Sequence, residues 1–281
     1  MIKYILNLIV TSLVHVHERY VLIKLTDDKP LPPMQPGQFV EVKVDGSQST
    51  FLRRPISINF VDSVRNELWL LVAAVGDGTH RLAQLNVGDT LNCVLPLGNG
   101  WTLPQSISQK KGLAESFLLV GGGVGVAPLL YQGAVLKAHG VEPVFLLGAR
   151  TDKDLLMLSE FEKYGRVLVT TEDGSLGERG FVTNHSVLTH EHFDMIQTCG
   201  PTPMMKALAR YAHEKGIECE ASLENLMACG LGACLCCVEK VRTSPGPSEG
   251  EEAGTLNQKP ETTNVCVCKE GPVFNINRLL W

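Results

Sequence analysis

The chain has 281 residues, a formal net charge of −5, 44% hydrophobic and 20% charged residues, and nine cysteines. That length suits two or three domains, each with its own core. The acidic balance argues against nucleic acid, whose phosphates call for a basic face. No apolar run reaches the roughly 18 residues that cross a bilayer, so no membrane is expected either.

The opening residues, MIKYILNLIVTSLVHV, carry a single Lys and no small-x-small cleavage site. Tyr4, Leu6, Leu8 and Val10 alternate, which is a strand pattern. A cytoplasmic protein is expected, and there a rich set of cysteines points to metal before disulfides.

Residues 1–105 read as strands and turns. Alternating segments recur at 4–10, 20–25, 38–44, 56–60, 67–75 and 90–95, parted by Pro32-Pro33, Pro36-Gly37, Asp45-Gly46 and Gly88-Asp89. Short, evenly spaced strands predict an antiparallel barrel or sandwich. Within it lies 53-RRPIS-57. A guanidinium suits a pyrophosphate bidentately, and a Ser hydroxyl suits the edge of a flavin ring. The bland reading is a surface Arg on an edge strand that tolerates Pro. The nearby 76-GDGTHRL-82 shifts the balance. A Gly-rich turn that opens a helix offers free N–H groups and a positive dipole end to phosphate. Together the two stretches fit a flavin dinucleotide.

Residues 106–215 change character. Strands are expected at 117–120, 144–147, 167–170 and 196–199, and helices at 129–139, 153–164 and 203–215. Alternation of strand and helix predicts a parallel sheet in an α/β domain. After the first strand comes 121-GGGVGVAPL-129, placed as a phosphate-binding turn, although its spacing is not G-x-G-x-x-G. Gly121, Gly122, Gly123 and Gly125 permit close approach of a pyrophosphate. At the last strand end stands 199-CGPTPMM-205, where Cys199, Gly200 and Pro201 are candidates for nucleotide contact. Arg150 follows a strand and suits a 2′-phosphate, which leaves NAD and NADP both open.

Residues 216–281 show little periodicity and hold most of the cysteines. Cys229, Cys234 and Cys237 are spaced C-x4-C-x2-C, which with one distant Cys is the plant-type [2Fe–2S] arrangement. Gly230 and Gly232 allow the bends such a loop needs, and its N–H groups can turn toward the sulfurs. The rival is a zinc site, which favours CxxC pairs at both ends. Cys266 and Cys268 compete for the fourth position, and Cys236 lies between two of the proposed ligands. Cys93 and Cys219 read as small core residues. His80, His185 and Glu224 receive no role. The Pro-, Gly-, Glu-, Ser- and Thr-rich stretch 243–264 reads as a mobile surface loop.

These motifs, in this order, resemble the ferredoxin–NADP reductase superfamily. With 223-LENLMACGLGAC-234 and 268-CKEGPVF-274 the chain is similar to the electron-transfer subunits of NAD-dependent class 1B dihydroorotate dehydrogenases. The resemblance covers almost the whole chain, and the cysteine segment is its most specific part. It implies a β plus α/β architecture: an antiparallel FAD-binding β-barrel at 1–105, a parallel-sheet NAD-binding domain at 106–215 and a small [2Fe–2S] domain at 216–281. It implies FAD contacts at Arg54, Pro55, Ile56 and Ser57, at Leu71, Val72 and Ala73, and at Gly78 and Thr79. It places the cluster on Cys229, Cys234, Cys237 and Cys268. Cys268 is preferred to Cys266 because the family's last ligand directly precedes a charged-charged-Gly-Pro sequence, here Lys269-Glu270-Gly271-Pro272. The family function is an electron relay from an FMN-containing catalytic subunit through the cluster and FAD to NAD, in pyrimidine biosynthesis, within a heterotetramer of two subunits of each kind. The alternatives are the flavin subunit of a ferredoxin:NADP oxidoreductase or sulfide dehydrogenase, and a zinc-stabilised module without redox chemistry. Two departures stand out: Cys236 occupies a position that is Gly in the family, and 243–264 lengthens the gap between Cys237 and Cys268.

Overall fold

Six strands form the first half of the molecule: β1 (Tyr4–His17), β2 (Tyr20–Thr26), β3 (Phe39–Val42), β4 (Arg54–Asp62), β5 (Glu67–Ala73) and β6 (Thr90–Leu97). They close into an antiparallel barrel in the order β1-β2-β5-β4-β3-β6. The alternation of β1 sets its faces: Leu8 and Val10 are wholly buried in the barrel, and Ile5 and Ile9 face outward. β1 runs past residue 10, where the alternating pattern ends, to His17. Register irregularities at Val10/Ser12 and His15/His17 put its second half out of phase, so simple alternation does not reveal it. Helix α1 (Asp77–Leu82) follows β5. The computed structural model describes residues 2–47, 49–104, 116–243 and 261–281. Most of the 243–264 stretch lies outside the described residues, as does the expected junction at 105/106.

The second half is built on a sheet of β7 (Phe117–Gly122), β8 (Val144–Ala149), β9 (Arg166–Thr171), β10 (Glu178–Arg179), β11 (Met195–Cys199) and β12 (Glu218–Ser222). Its order is β10-β9-β8-β7-β11-β12, parallel throughout. Continuous apolar runs are needed because both faces are covered. Phe117, Leu119 and Phe145 pack with Leu129, Leu130 and Leu136 of helix α2 (Ala127–Ala138). Leu118, Val120 and Ile196 pack with Met205, Leu208 and Ala212 of helix α3 (Thr202–Lys215) on the other side. The expected barrel and parallel-sheet domain are thus both present.

Two local expectations differ from the structure. The helix expected over 153–164 is a 3-10 turn at Asp152–Asp154 and one helical turn at Leu158–Phe161, with Met157 at φ 57° between them. Asp154 is drawn into ion pairs with the barrel and Leu156 is buried, so the chain cannot keep one helical course. The segment past residue 215, which shows little periodicity, supplies β12 and also β15 (Val273–Asn275), which pairs antiparallel with β12. Between them stands a hairpin of β13 (Val238–Arg242) and β14 (Thr262–Cys266), then the short helix α4 (Val267–Glu270). Cys237, Val241, Val267 and Cys268 share one core with Ile196 and Met205 and with Phe39 and Leu97 of the barrel. The barrel and the sheet domain are also tied directly. Asn59 Nδ2 donates to the Ala127 carbonyl at 2.9 Å, and the Tyr131 hydroxyl donates to the Met34 carbonyl at 3.1 Å. Among the described residues no helix is long and apolar enough to cross a membrane.

Candidate functional site

The barrel has an opening where two strands part. β4 pairs with β5 from Asp62–Glu67 up to Ile58–Leu70 and no further. Beyond that point Arg54–Ser57 pair with β3, and Leu71–Ala73 pair with β2 on their far side. Antiparallel register would set Pro55, Ile56 and Ser57 opposite Leu71, Val72 and Ala73. Their facing backbone edges are therefore left open toward each other. Leu71 and Val72 point their side chains into cores, so only their backbones face this opening. At its end lies α1. A Cβ on Gly78 would stand 3.0 Å from Arg54 Nε, so the guanidinium rests against the start of that helix. The Thr79 hydroxyl accepts from the N–H groups of Val75 and Gly76 at 3.0 and 3.1 Å and fixes the turn. All nine residues named for FAD thus gather at one slot, with a cation and a Gly-rich turn at one end and free backbone groups along its edges. These are the donor types that a pyrophosphate and a flavin ring edge require.

The carboxyl ends of β7, β8 and β9 open into a cavity of about 560 Å³. Ligands of open α/β sheets bind at this edge. Gly122, Gly123 and Pro201 line the cavity. Gly121 and Gly125 instead serve packing. A Cβ on Gly125 would come within 2.5 Å of the Cys199 carbonyl oxygen, so the glycine turn and the Cys199–Gly200 turn interlock only without one. Gly200 and Pro201 also line a second cavity of about 360 Å³, between α3 and the C-terminal Trp281. The Cys199 side chain is wholly buried, with Sγ 3.8 Å from Glu224 Oε1. Burial, reinforced by Glu224, holds its thiol well above the usual range, so it is protonated. Sequence reasoning missed Arg19, Tyr20, Asp154, Glu172 and Phe181, which also line the larger cavity. Glu172 had a usable signal, since it directly follows a strand of the parallel sheet.

The cysteine loop leaves β12 and returns through β13. Its N–H groups turn inward onto sulfur. Leu231 N and Cys234 N donate to Cys229 Sγ at 3.4 and 3.5 Å. Gly232 N donates to Cys268 Sγ at 3.1 Å, and Cys268 N donates to Cys237 Sγ at 3.4 Å. Burial would raise the Cys229 thiol, but the N–H groups of Leu231, Cys234 and Ala233 outweigh it and bring the thiol down to about 6. Cys268 is pushed the other way, up to about 12, by burial and by the neighbouring Cys237. Crowded sulfurs ringed by N–H donors are the environment that a cationic metal centre relieves. Among the described residues no three His, Cys, Asp or Glu side chains close in as they would around a single ion. Cys266 differs from Cys268: its thiol faces the Gly232 carbonyl oxygen at 3.8 Å, an acceptor suited to a protonated S–H. Cys236 is exposed.

The cysteine loop is seated on the barrel. Gly230 (φ +65°) lies against Glu41 of β3, and a Cβ there would be 2.5 Å from Glu41 Cγ. Glu41 is wholly buried, and neither carboxylate oxygen has a hydrogen-bond partner. Burial pushes its carboxyl up to about 7, the Arg53 guanidinium opposing this and the Cys229 sulfur adding to it. The flavin-type slot therefore lies between the two other sites. Glu41 links it to the cysteine loop. Leu71, packed in one core with Val126 and Ala127, links it to the glycine turn.

Comparison with known proteins agrees with this arrangement. The family model of the oxidoreductase NAD-binding domain matches residues 119–210. The dihydroorotate dehydrogenase B (NAD(+)) electron transfer subunit of Shouchella clausii (strain KSM-K16) is 39% identical over 88% of this chain and 86% of its own length. The subunit of the same name from Bacillus mycoides (strain KBAB4) is 36% identical over 98% of both chains. Among solved structures, a chain of the NADH-dependent reduced ferredoxin-NADP oxidoreductase, described for flavin-based electron bifurcation, superposes with a TM-score of 0.78 at 30% identity. The match covers 98% of this chain and 90% of that one. With relatives this similar along nearly its whole length, and with barrel, glycine turn and cysteine loop in one sequence order, the chain belongs to the family of dihydroorotate dehydrogenase B (NAD(+)) electron transfer subunits.

Proposed function

We propose that this chain carries electrons between a dihydroorotate-oxidising catalytic subunit and NAD, through a [2Fe–2S] cluster and FAD, in pyrimidine biosynthesis in the cytoplasm. The reading places FAD on the barrel (1–105), NAD on the sheet domain (106–215) and the cluster on 216–281, a segment that also lends β12 and β15 to the sheet. Its partner is the FMN-containing catalytic subunit, in a heterotetramer of two subunits of each kind. The observation that carries the proposal is the position of the β4–β5 slot, against the cysteine loop through Glu41 on one side and against the glycine turn through Leu71 on the other.

In this reading Arg54 and the turn at Gly78 and Thr79 hold the FAD pyrophosphate. The open edges of Pro55–Ser57 and Leu71–Ala73 hold the ring. Cys229, Cys234, Cys237 and Cys268 hold the cluster, and the loop N–H groups orient the sulfurs. The glycine turn, with Cys199, Gly200 and Pro201 beside it, receives NAD. When bound, FAD supplies the exchange between the two-electron chemistry of NAD and the one-electron chemistry of the cluster. Beside the turn the wholly buried Cys199 thiol, held well above the usual range by burial, stays neutral. No residue needs to act as an acid or base on dihydroorotate.

The test is a visible spectrum with iron and flavin content on anaerobically purified protein, before and after NADH. FAD near stoichiometric amount, about two irons and bleaching by NADH support the relay. Dihydroorotate-dependent reduction of NAD after addition of the catalytic subunit completes the case. Arg54→Ala should lose FAD; full flavin content in that variant would remove the assigned pyrophosphate contact. A colourless zinc protein would reduce the loop to a clasp. A second reading is favoured by the 30% identity over 98% of this chain to the NADH-dependent reduced ferredoxin-NADP oxidoreductase. It predicts electron exchange with ferredoxin and none with dihydroorotate.

A further inference from the structure

The larger cavity is walled from two domains. Most of its lining belongs to the sheet domain, but Arg19, in the β1–β2 turn, and Tyr20, which opens β2, belong to the barrel. Arg19 and Arg150 are the only cations among its described lining residues. They enter it from different domains, Arg150 from the sheet domain and Arg19 from the barrel. Arg150 follows β8 beside the end of β9, where Glu172 N donates to the Ala149 carbonyl at 3.1 Å. Arg19 directly precedes Tyr20, which reaches the glycine turn. Its guanidinium carbon is 5.9 Å from the centre of the Tyr20 ring, and the Tyr20 hydroxyl is 3.9 Å from where a Cβ on Gly123 would lie. The turn itself, 121-GGGVGVAP-128, contains no cation. A pyrophosphate seated there carries two negative charges, and Arg19 is the side chain at hand to meet them.

Arg19 is also held in place. Its Nη2 is 3.4 Å from Asp154 Oδ1. Asp154 accepts from the Thr151 hydroxyl at 3.0 Å, and His17 Nε2 lies 3.7 Å from the same carboxylate. The Asp154 side chain is only 19% exposed. A guanidinium has five N–H donors, so pairing along one edge leaves others for a phosphate.

We infer that the first barrel hairpin completes the nucleotide site: Arg19 binds the pyrophosphate, Tyr20 covers the glycine turn, and Asp154 is the positioning residue for Arg19. The inference rests on the reading of this cavity as the NAD site. The bound dinucleotide then bridges barrel and sheet domain. Its occupancy reports on their docking as well as on the sheet domain alone.

The experiment titrates ADP-ribose and AMP into the holoprotein by calorimetry and measures NADH oxidation with ferricyanide as acceptor. Arg19→Ala raises the ADP-ribose Kd and the NADH KM about tenfold, as expected for one lost charge-assisted contact. AMP, which lacks the second phosphate, loses much less affinity, and kcat changes less than KM. Arg19→Lys recovers part of the loss, and Asp154→Asn gives an intermediate KM. Arg150→Ala weakens AMP and ADP-ribose alike. An unchanged ADP-ribose Kd in Arg19→Ala, or equal losses for both ligands, overturns the inference and leaves the NAD site standing. Wild-type holoprotein that binds no ADP-ribose overturns both.

Discussion

Replacing Gly230 by Ala tests how the cysteine loop is seated on the barrel. Two costs add. The residue sits at φ +65°, where an L side chain costs roughly 1–2 kcal/mol. The new methyl would also lie 2.5 Å from Glu41 Cγ, 2.9 Å from Glu41 Oε1 and 3.1 Å from Leu97 Cδ1. Glu41 and Leu97 are wholly buried, so neither can swing into solvent. Overpacking of this kind costs about 1–3 kcal/mol. The expected loss is therefore about 2–5 kcal/mol in urea unfolding, with a lower iron-to-flavin ratio. Gly216 gives the control. It has the same φ of +65° and nothing within 4 Å of a new Cβ. Gly216→Ala should lose only the conformational part, roughly 1–2 kcal/mol. In a double-mutant cycle, Glu41→Ala should return most of the overpacking part, because it removes the atoms struck. The contact argument fails if Gly230→Ala costs no more than Gly216→Ala, or if the two sites prove additive.

Three further outcomes follow from the geometry. Burial raises the Glu220 carboxyl above its ordinary 4.5, against hydrogen bonds from Thr102 and Gln197. The folded state then holds that proton more tightly than the unfolded chain, so this stability is full below pH 4.5 and falls as pH rises above it. Glu220→Gln should flatten the fall in thermal midpoint between pH 4.5 and 8; parallel curves would contradict this. Phe145→Ala removes a wholly buried ring packed edge-on to Phe161 at 4.9 Å and should cost about 3–5 kcal/mol in chemical denaturation. Cys268→Ser should lose most of the iron and Cys266→Ser should keep it, as their hydrogen-bond surroundings differ; the opposite iron contents would exchange the two assignments.

Local chemistry was legible in the sequence, and long-range placement was not. The cysteine spacing and the Gly-rich turns show because their constraint spans a few neighbouring residues. The alternation of β1 shows as far as Val10 and is lost where the register shifts. β15 is too short for a periodicity to register, yet it completes a sheet edge. Glu41 reads as an ordinary polar position in 38-QFVEVKV-44, and only the fold reveals that the cysteine loop covers it. The resemblance named Leu71–Ala73, and only the fold shows that β4–β5 pairing ends just before them and leaves their backbone edge open. Nothing in sequence joins Arg19 to Asp154; that pairing exists only because a barrel hairpin folds onto a distant loop.

The hairpin of β13 and β14 explains how the chain carries extra length between Cys237 and Cys268. Val238 pairs with Cys266 at the cysteine end, and Arg242 pairs with Thr262 at the other. Four residue steps of strand set the two ends about 13 Å apart. Length added between Arg242 and Thr262 enters at the far end of the ladder, while Val238 stays paired with Cys266 next to the outer cysteines. Such an addition lengthens the polypeptide without shifting the cysteine end of the hairpin, so a longer chain and an unchanged sulfur spacing are compatible in one fold.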